Sequence, residues 1–221
     1  MAAPAPSAEI WNSLFMMYVT SAVVISAVVL AILGYFVLRY RQPSSSLADG
    51  GQDEPEFRIG AEPTRGSAKV AIALSVILGL LFVGLTASTF SAMEFMEEIP
   101  EDNPNALHIK VTAFQWGWQF TYPNGRTITG ELRVPVNTPI VLEITSRDVF
   151  HTFAIAAFKV KKDAIPDRIN FAWFEAKEAG EYRIQCYELC GTGHAKMIAT
   201  LLAMETEQFE AWYGKLSEEK G

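Results

Sequence analysis

The chain begins with two long apolar stretches and continues with short alternating ones. Residues 14–37 and 70–90 contain no Asp, Glu, Lys, Arg or His, and each run reaches the roughly 20 apolar residues needed to cross a hydrocarbon core. The pattern predicts two membrane-spanning helices, over about 14–38 and 70–92. Neither carries an ionisable side chain of its own, so they read as anchors and packing surfaces rather than as ion or proton paths. After Pro104 the texture changes to runs rich in Val, Ile, Thr and aromatics, broken by Pro, Gly and Asn. Strands are predicted at 107–114, 118–122, 140–145, 152–156, 170–174, 181–185 and 198–204, and Asn124-Gly125 marks a hairpin turn. A short helix is expected over 207–216. The fold class expected is therefore a membrane-anchored all-β protein: a helical hairpin over 1–104, then a β-sandwich or barrel over 105–221.

Charge orients this plan. No basic residue precedes the first apolar run, whereas Arg39, Arg41, Arg58, Arg65 and Lys69 all lie between the two. The joining segment, rich in Pro, Gly and Ser from 42 to 67, is expected to be a cytoplasmic loop. Both termini and the β domain then face the periplasm of a prokaryotic plasma membrane. A cleaved signal peptide is disfavoured, because there is no positive leader and the apolar run is too long. The formal net charge of −7 argues against nucleic-acid binding, which wants a basic face.

The chemistry is concentrated in one segment. The only cysteines, Cys186 and Cys190, are followed by His194 and Met197 in the run Cys-Tyr-Glu-Leu-Cys-Gly-Thr-Gly-His-Ala-Lys-Met. Two cysteines four apart could close a disulfide in an oxidising compartment, but thiolate, thioether and imidazole together select copper over hard cations. A further imidazole is available from His151, between two predicted strands. Five such donors exceed what one tetrahedral structural ion takes, which points to two metals. Two thiolates bridging two coppers would share one electron and keep bond-length changes small. His108, by contrast, reads as a structural residue of its strand.

This segment resembles the CuA motif of cytochrome c oxidase subunit II, matched by Cys186, Glu188, Cys190, His194 and Met197. Residues 146–151, ending at His151, are similar to the family's first histidine segment, and Gln115-Trp116-Gly117-Trp118 to its aromatic run. The resemblance implies a cupredoxin-like Greek-key domain. It also implies a respiratory, translocase-type oxidoreductase whose oxygen chemistry lies in the partner subunit. Cys186 and Cys190 would bridge a dinuclear copper centre, with His151 and His194 each capping one copper. Met197 and the Glu188 carbonyl would be weak ligands, and the Glu188 side chain would lean toward a magnesium ion shared with catalytic subunit I. Trp116 would receive electrons from an external carrier, such as cytochrome c or a small copper protein, with Asp148 beside that surface. Haem belongs to the partner only.

The chain also departs from the family. Gly117 stands where an aromatic is usual, the hairpin over 121–130 lacks acidic residues, and Lys159, Lys161 and Lys162 add positive charge. A carrier less basic than the usual cytochrome c is expected. The family's glutamate near the second helix has no counterpart in 64–69, and the nearest acid is Glu62 upstream. The competing readings are a CuA subunit of a nitric oxide reductase and a Sco-type copper chaperone, the latter requiring a thioredoxin-like α/β pattern.

Overall fold

The computed structural model describes residues 5–40, 66–100 and 103–218, and the chain divides into two compact units, 15–89 and 1–14 with 90–221. Arg41, Arg58, Glu62 and Arg65, on which the cytoplasmic-loop and proton-uptake expectations turn, lie outside the described residues.

Helix α1 (Pro6–Tyr40) and helix α2 (Ala68–Glu97) are longer than the apolar runs that predict them. The extra turns follow from backbone preference: Pro6 suits a first helical position, Glu9 complements the positive helix end, and Glu94 and Glu97 are good helix formers. Large apolar side chains such as Val24, Leu30, Ile77 and Phe82 are exposed on every face, which suits lipid and not water. Within the helical unit the Tyr18 hydroxyl lies 2.9 Å from Thr89 Oγ1, so two polar side chains satisfy each other among apolar ones.

The other unit is a sandwich of two five-stranded sheets. β1 (Leu107–Phe114), β2 (Gly117–Thr121), β3 (Thr127–Thr129), β5 (Pro139–Ser146) and β8 (Asn170–Glu175) pair in the order β3-β2-β1-β5-β8. β4 (Glu131–Pro135), β6 (His151–Ile155), β7 (Val160–Ala164), β9 (Gly180–Cys186) and β10 (Ile198–Met204) pair in the order β4-β10-β9-β6-β7. Two parallel pairs, β1 with β5 and β4 with β10, record where the chain crosses between sheets. Alternating positions fill the space between them, led by Trp118, Phe120, Phe153, Phe158 and Phe174.

The seven predicted strands are present, with ends shifted by a residue or two. The three not predicted, β3, β4 and β7, are all edge strands. An edge tolerates what a central strand does not: Pro135 in β4, and Lys161, Lys162 and Asp163 in β7. The Asn124-Gly125 turn joins β2 to β3 as expected, with Gly125 at φ 79° and its N–H on the Tyr122 carbonyl at 2.8 Å. Beyond β10, helix α3 (Thr206–Glu218) lays Trp212 and Tyr213 on the Tyr122 ring, with Phe209 packed against those two.

Strand direction gathers three loops at one end of the sandwich. β1 and β5 run parallel, so the turn after β1 lies beside the loop after β5, and the Arg147 N–H bonds the Ala113 carbonyl at 3.0 Å. β6 and β9 run antiparallel, with Phe153 opposite Cys186, so β6 starts where β9 ends. The turn over 121–130 lies at the other end of β2 from Trp116, against α3, where the Asn124 N–H meets the Tyr213 hydroxyl at 3.2 Å.

Candidate metal centre

Cys186 is the last residue of β9, and its N–H bonds the Met197 carbonyl at 3.1 Å just before β10 begins. The loop over 187–197 is therefore pinched at its base by the sheet ladder, which gives its donors a fixed frame. His151, the first residue of β6, sits in a strand whose five positions are all buried. A second tie, Tyr187 N–H to Thr152 carbonyl at 3.0 Å, sets the loop's start against that strand.

The structure brings the expected ligands together. Cys186 Sγ lies 3.8 Å from Cys190 Sγ and 3.9 Å from His151 Nδ1. Cys190 Sγ lies 3.5 Å from His194 Nδ1 and 3.7 Å from Met197 Sδ. The Glu188 carbonyl oxygen is 3.2 Å from Cys186 Sγ, while its side chain makes no ion pair among the described residues. Each cysteine thus has its own imidazole, with the two sulfurs side by side between them. Both cysteines are free thiols. His151 and Met197 are fully buried, and the ring of His151 lies edge-on to buried Trp118 at 6.2 Å between centroids.

Burial, and then the neighbouring Cys186, push the Cys190 thiol up to about 11. A cation arriving here displaces that proton. Two thiols, two imidazoles, a thioether and a carbonyl, held by a pinched loop and a core strand, fit soft copper in more than one position. They do not fit a hard cation, which wants carboxylates.

Asp148, exposed beside the turn that carries Gln115 and Trp116, is also tied to His151. Its carboxylate accepts the His151 Nε2–H at 2.9 Å, the Val149 N–H at 2.6 Å and the Gln115 N–H at 2.7 Å. Burial works to raise its pKa, but these hydrogen bonds, that from His151 first, hold it below the ordinary carboxylate value. Exposed to solvent and bonded to the histidine at once, it leaves Nδ1 as the ring nitrogen turned to the sulfurs.

Trp116 is 41 % exposed, and its indole N–H donates to the Cys190 carbonyl at 3.1 Å, beside a 2.8 Å bond from the Gln115 side-chain amide. The ring lies on the loop backbone because two glycines leave room. A Cβ on Gly193 would sit 2.3 Å from Trp116 Cδ2, and one on Gly191, at φ +116°, 3.2 Å from Trp116 Cζ2. Gln115, Gly191 and Gly193 were not singled out from the sequence. Only the glycine density of the loop hinted at them, since their partners lie some 75 positions away along the chain.

Comparison with known proteins accords with this geometry. Residues 126–204 match the family described as "Cytochrome C oxidase subunit II, periplasmic domain". The heme-copper oxidase subunit 2 of Aeropyrum pernix is 36 % identical over 211 residues, spanning 92 % of this chain and 88 % of that one. The chain belongs to the cytochrome c oxidase subunit II family. The subunit 2 of Alkalihalophilus pseudofirmus is 33 % identical over 220 residues, 97 % of this chain and 60 % of that protein, so this chain spans only part of that longer relative. The periplasmic domain of subunit II from Bradyrhizobium japonicum, a solved structure, shares 38 % identity over 51 % of this chain and 94 % of its own, with a TM-score of 0.49. As a member of this family the chain is a subunit of an oxidoreductase, with two candidate membrane helices and a cluster of His and Cys able to hold copper.

Proposed function

We propose that this chain is the copper-bearing subunit through which a haem-copper terminal oxidase receives electrons from an external carrier, for delivery to haem in catalytic subunit I. The observation that carries this reading is the convergence of Cys186, Cys190, His151, His194 and Met197 at one loop-built pole of a buried sandwich. When bound there, a copper pair supplies a one-electron store whose bond lengths change little as it is reduced and reoxidised. The residues do the rest. Cys186 and Cys190, side by side, are positioned to bridge, and His151 and His194 to cap, one on each side. Met197 and the Glu188 carbonyl lie close enough to act as weak outer ligands.

Asp148 acts through His151: by accepting the Nε2 proton it fixes the ring's tautomer and keeps Nδ1 available, the usual task of a carboxylate behind a metal-binding histidine. The half-exposed Trp116 offers a docking carrier an aromatic edge joined by one hydrogen bond to the backbone of a ligand residue. The Glu188 side chain, without an ion pair among the described residues, remains available for a magnesium ion shared with the catalytic subunit. The family and the two apolar helices support a periplasmic placement of the β unit, with both termini on that side of a prokaryotic plasma membrane.

The rival readings have less behind them. A Sco-type chaperone would need a thioredoxin-like α/β domain, and the described β unit is two β-sheets with one terminal helix. A nitric oxide reductase would share this chain's geometry and differ in its partner.

The test is copper stoichiometry and electron resonance on the purified full-length chain. Two coppers per chain with one electron shared between them is the expected result. A single isolated cupric ion, or a thiol pair that cycles through a disulfide with one copper bound, would overturn the reading.

A further inference from the structure

A second candidate site lies away from the metal pole, within the β unit. A cavity of about 200 Å³ is walled by Ser7 from the start of the chain, Phe95 and Glu97 after the second apolar run, Lys159 and Lys162, and Trp173 and Glu175 of β8. It is small beside the roughly 300–1,000 Å³ of a drug-sized ligand site, yet ample for a compact polar headgroup.

Its charges do not balance internally. In edge strand β7 the buried positions are Val160 and Ala164, so Lys162, between them in alternation, lies on the inward face and is half-buried. It makes no ion pair among the described residues. Lys159 is held in the left-handed region at φ 58°, its ammonium 5.8 Å from the Trp11 ring centroid, a cation over an aromatic face. Of the two carboxylates in the wall, Glu175 is engaged by Lys177, which leaves Glu97 alone against Lys159, Lys161 and Lys162. The aromatic part of the wall is built by Phe95 packed edge-on against Trp173 at 5.5 Å, and the Trp173 indole N–H has no hydrogen-bond partner among the described residues.

The chain itself fixes where such a cavity belongs. Ser7 lies three residues before the charge-free run that opens at Ile10, and Phe95 two residues after the one that closes at Met93. Trp11 lies in the first of these segments and the Lys159 ammonium packs over its ring, which places the cavity in the headgroup layer.

We propose that this cavity binds the phosphate of an anionic phospholipid, with Lys162 and Lys159 as its cationic partners and Phe95, Trp173 and Trp11 against the glycerol and upper acyl region. An inward lysine on an edge strand also guards against edge-to-edge pairing, but that task asks nothing of Lys159, Trp11 or the cavity. The inference rests on the two helices spanning a membrane and is independent of the copper reading.

The test is reconstitution of the full-length protein in nanodiscs of phosphatidylcholine mixed with phosphatidylglycerol, gentle extraction, and native mass spectrometry of the lipid retained. One phosphatidylglycerol should be kept in preference to phosphatidylcholine. Lys162→Gln should lower that retention about fivefold, whereas Lys110→Gln on the opposite sheet should not, and both variants should load copper normally. Equal retention of the two lipids, or no change in Lys162→Gln, would overturn the proposal. So would displacement by inorganic phosphate as effective as by phosphatidylglycerol, which would mark a site for a free anion. Loss of the catalytic partner from Lys162→Gln with lipid retention unchanged would mark a protein interface instead, and would equally overturn it.

Discussion

The two ends of the β-sandwich handle polar groups in opposite ways. At the α3 end, the Tyr122 hydroxyl donates to the Arg133 carbonyl at 2.9 Å and accepts the Arg133 N–H at 2.8 Å, while the Arg133 guanidinium sits 5.1 Å from the Trp212 ring centroid. Every group there is answered by another of the same chain. At the other end, two thiols, two imidazoles and a thioether crowd within 4 Å of their neighbours and are answered by little except Asp148. Sulfur and imidazole make poor hydrogen-bond partners for one another, so the crowding is useful only around a metal. One end is complete in itself, and the other is built to be completed.

The sharpest way to break this contrast is Cys190→Ser. If Cys190 bridges as proposed, losing its sulfur should abolish the shared-electron signal and the two-copper stoichiometry, and leave the thermal unfolding of the metal-free chain within about 1 kcal/mol. Two coppers bound normally would remove the bridging role. Next comes Asp148→Asn, expected to weaken copper binding about 10–100-fold by releasing the His151 tautomer, with Asp148→Glu recovering part of the loss. Because the Asp148 carboxyl is held below its ordinary value, its bonds stabilise the fold above that ordinary value. That contribution should fade only as pH falls through the lower, folded value, and be missing from the asparagine variant.

Tyr122→Phe probes the self-contained end. Removing both hydroxyl bonds should cost about 1–3 kcal/mol in urea unfolding without changing copper content. Burial, the largest cause, raises the Tyr122 pKa, so the folded chain keeps this proton where the unfolded chain loses it. Stability should therefore fall as pH rises above about 10, and the phenylalanine variant should lack that part of the decline. The smallest effect is expected from Gly193→Ala. Its backbone, at φ −90°, accepts alanine, but the methyl would push Trp116 off the loop. An off-rotamer tryptophan costs about 0.5–1.5 kcal/mol. The readouts are a shift in tryptophan fluorescence and slower electron delivery by the carrier, with copper spectra unchanged. Fluorescence identical to that of the parent chain would show that the ring does not rest on Gly193.

What could be read from the sequence follows the same division. Ligand types at Cys186, Cys190, His194 and Met197 are local and chemically distinctive, so their spacing carries the signal. Central strands such as 107–114 and 198–204 announce themselves by alternation. Edge strands do not, because β7 spends its exposed face on Lys161 and Asp163 and β4 ends on Pro135. Nor could the role of Gln115, or of the room left by Gly193, be seen in advance. Each depends on a contact between segments about 75 residues apart, for which no local pattern exists. Asp148 shows the limit most clearly: the resemblance sets it beside a docking surface, and its bond to the His151 ring becomes visible only in the fold.

The ladder between β9 and β10 carries a last consequence. The chain leaves the ladder after Cys186 and rejoins it at Ile198, which is opposite Gln185, so the whole excursion between them hangs from adjacent rungs. The pairing of β9 with β10 is closed beneath it and does not depend on its length, although Cys190 and Met197 fill part of the core. Exchanges of that excursion that keep apolar side chains where Cys190 and Met197 lie would leave the strand ladder in place, so the scaffold could acquire, lose or retune a metal without having to learn to fold again.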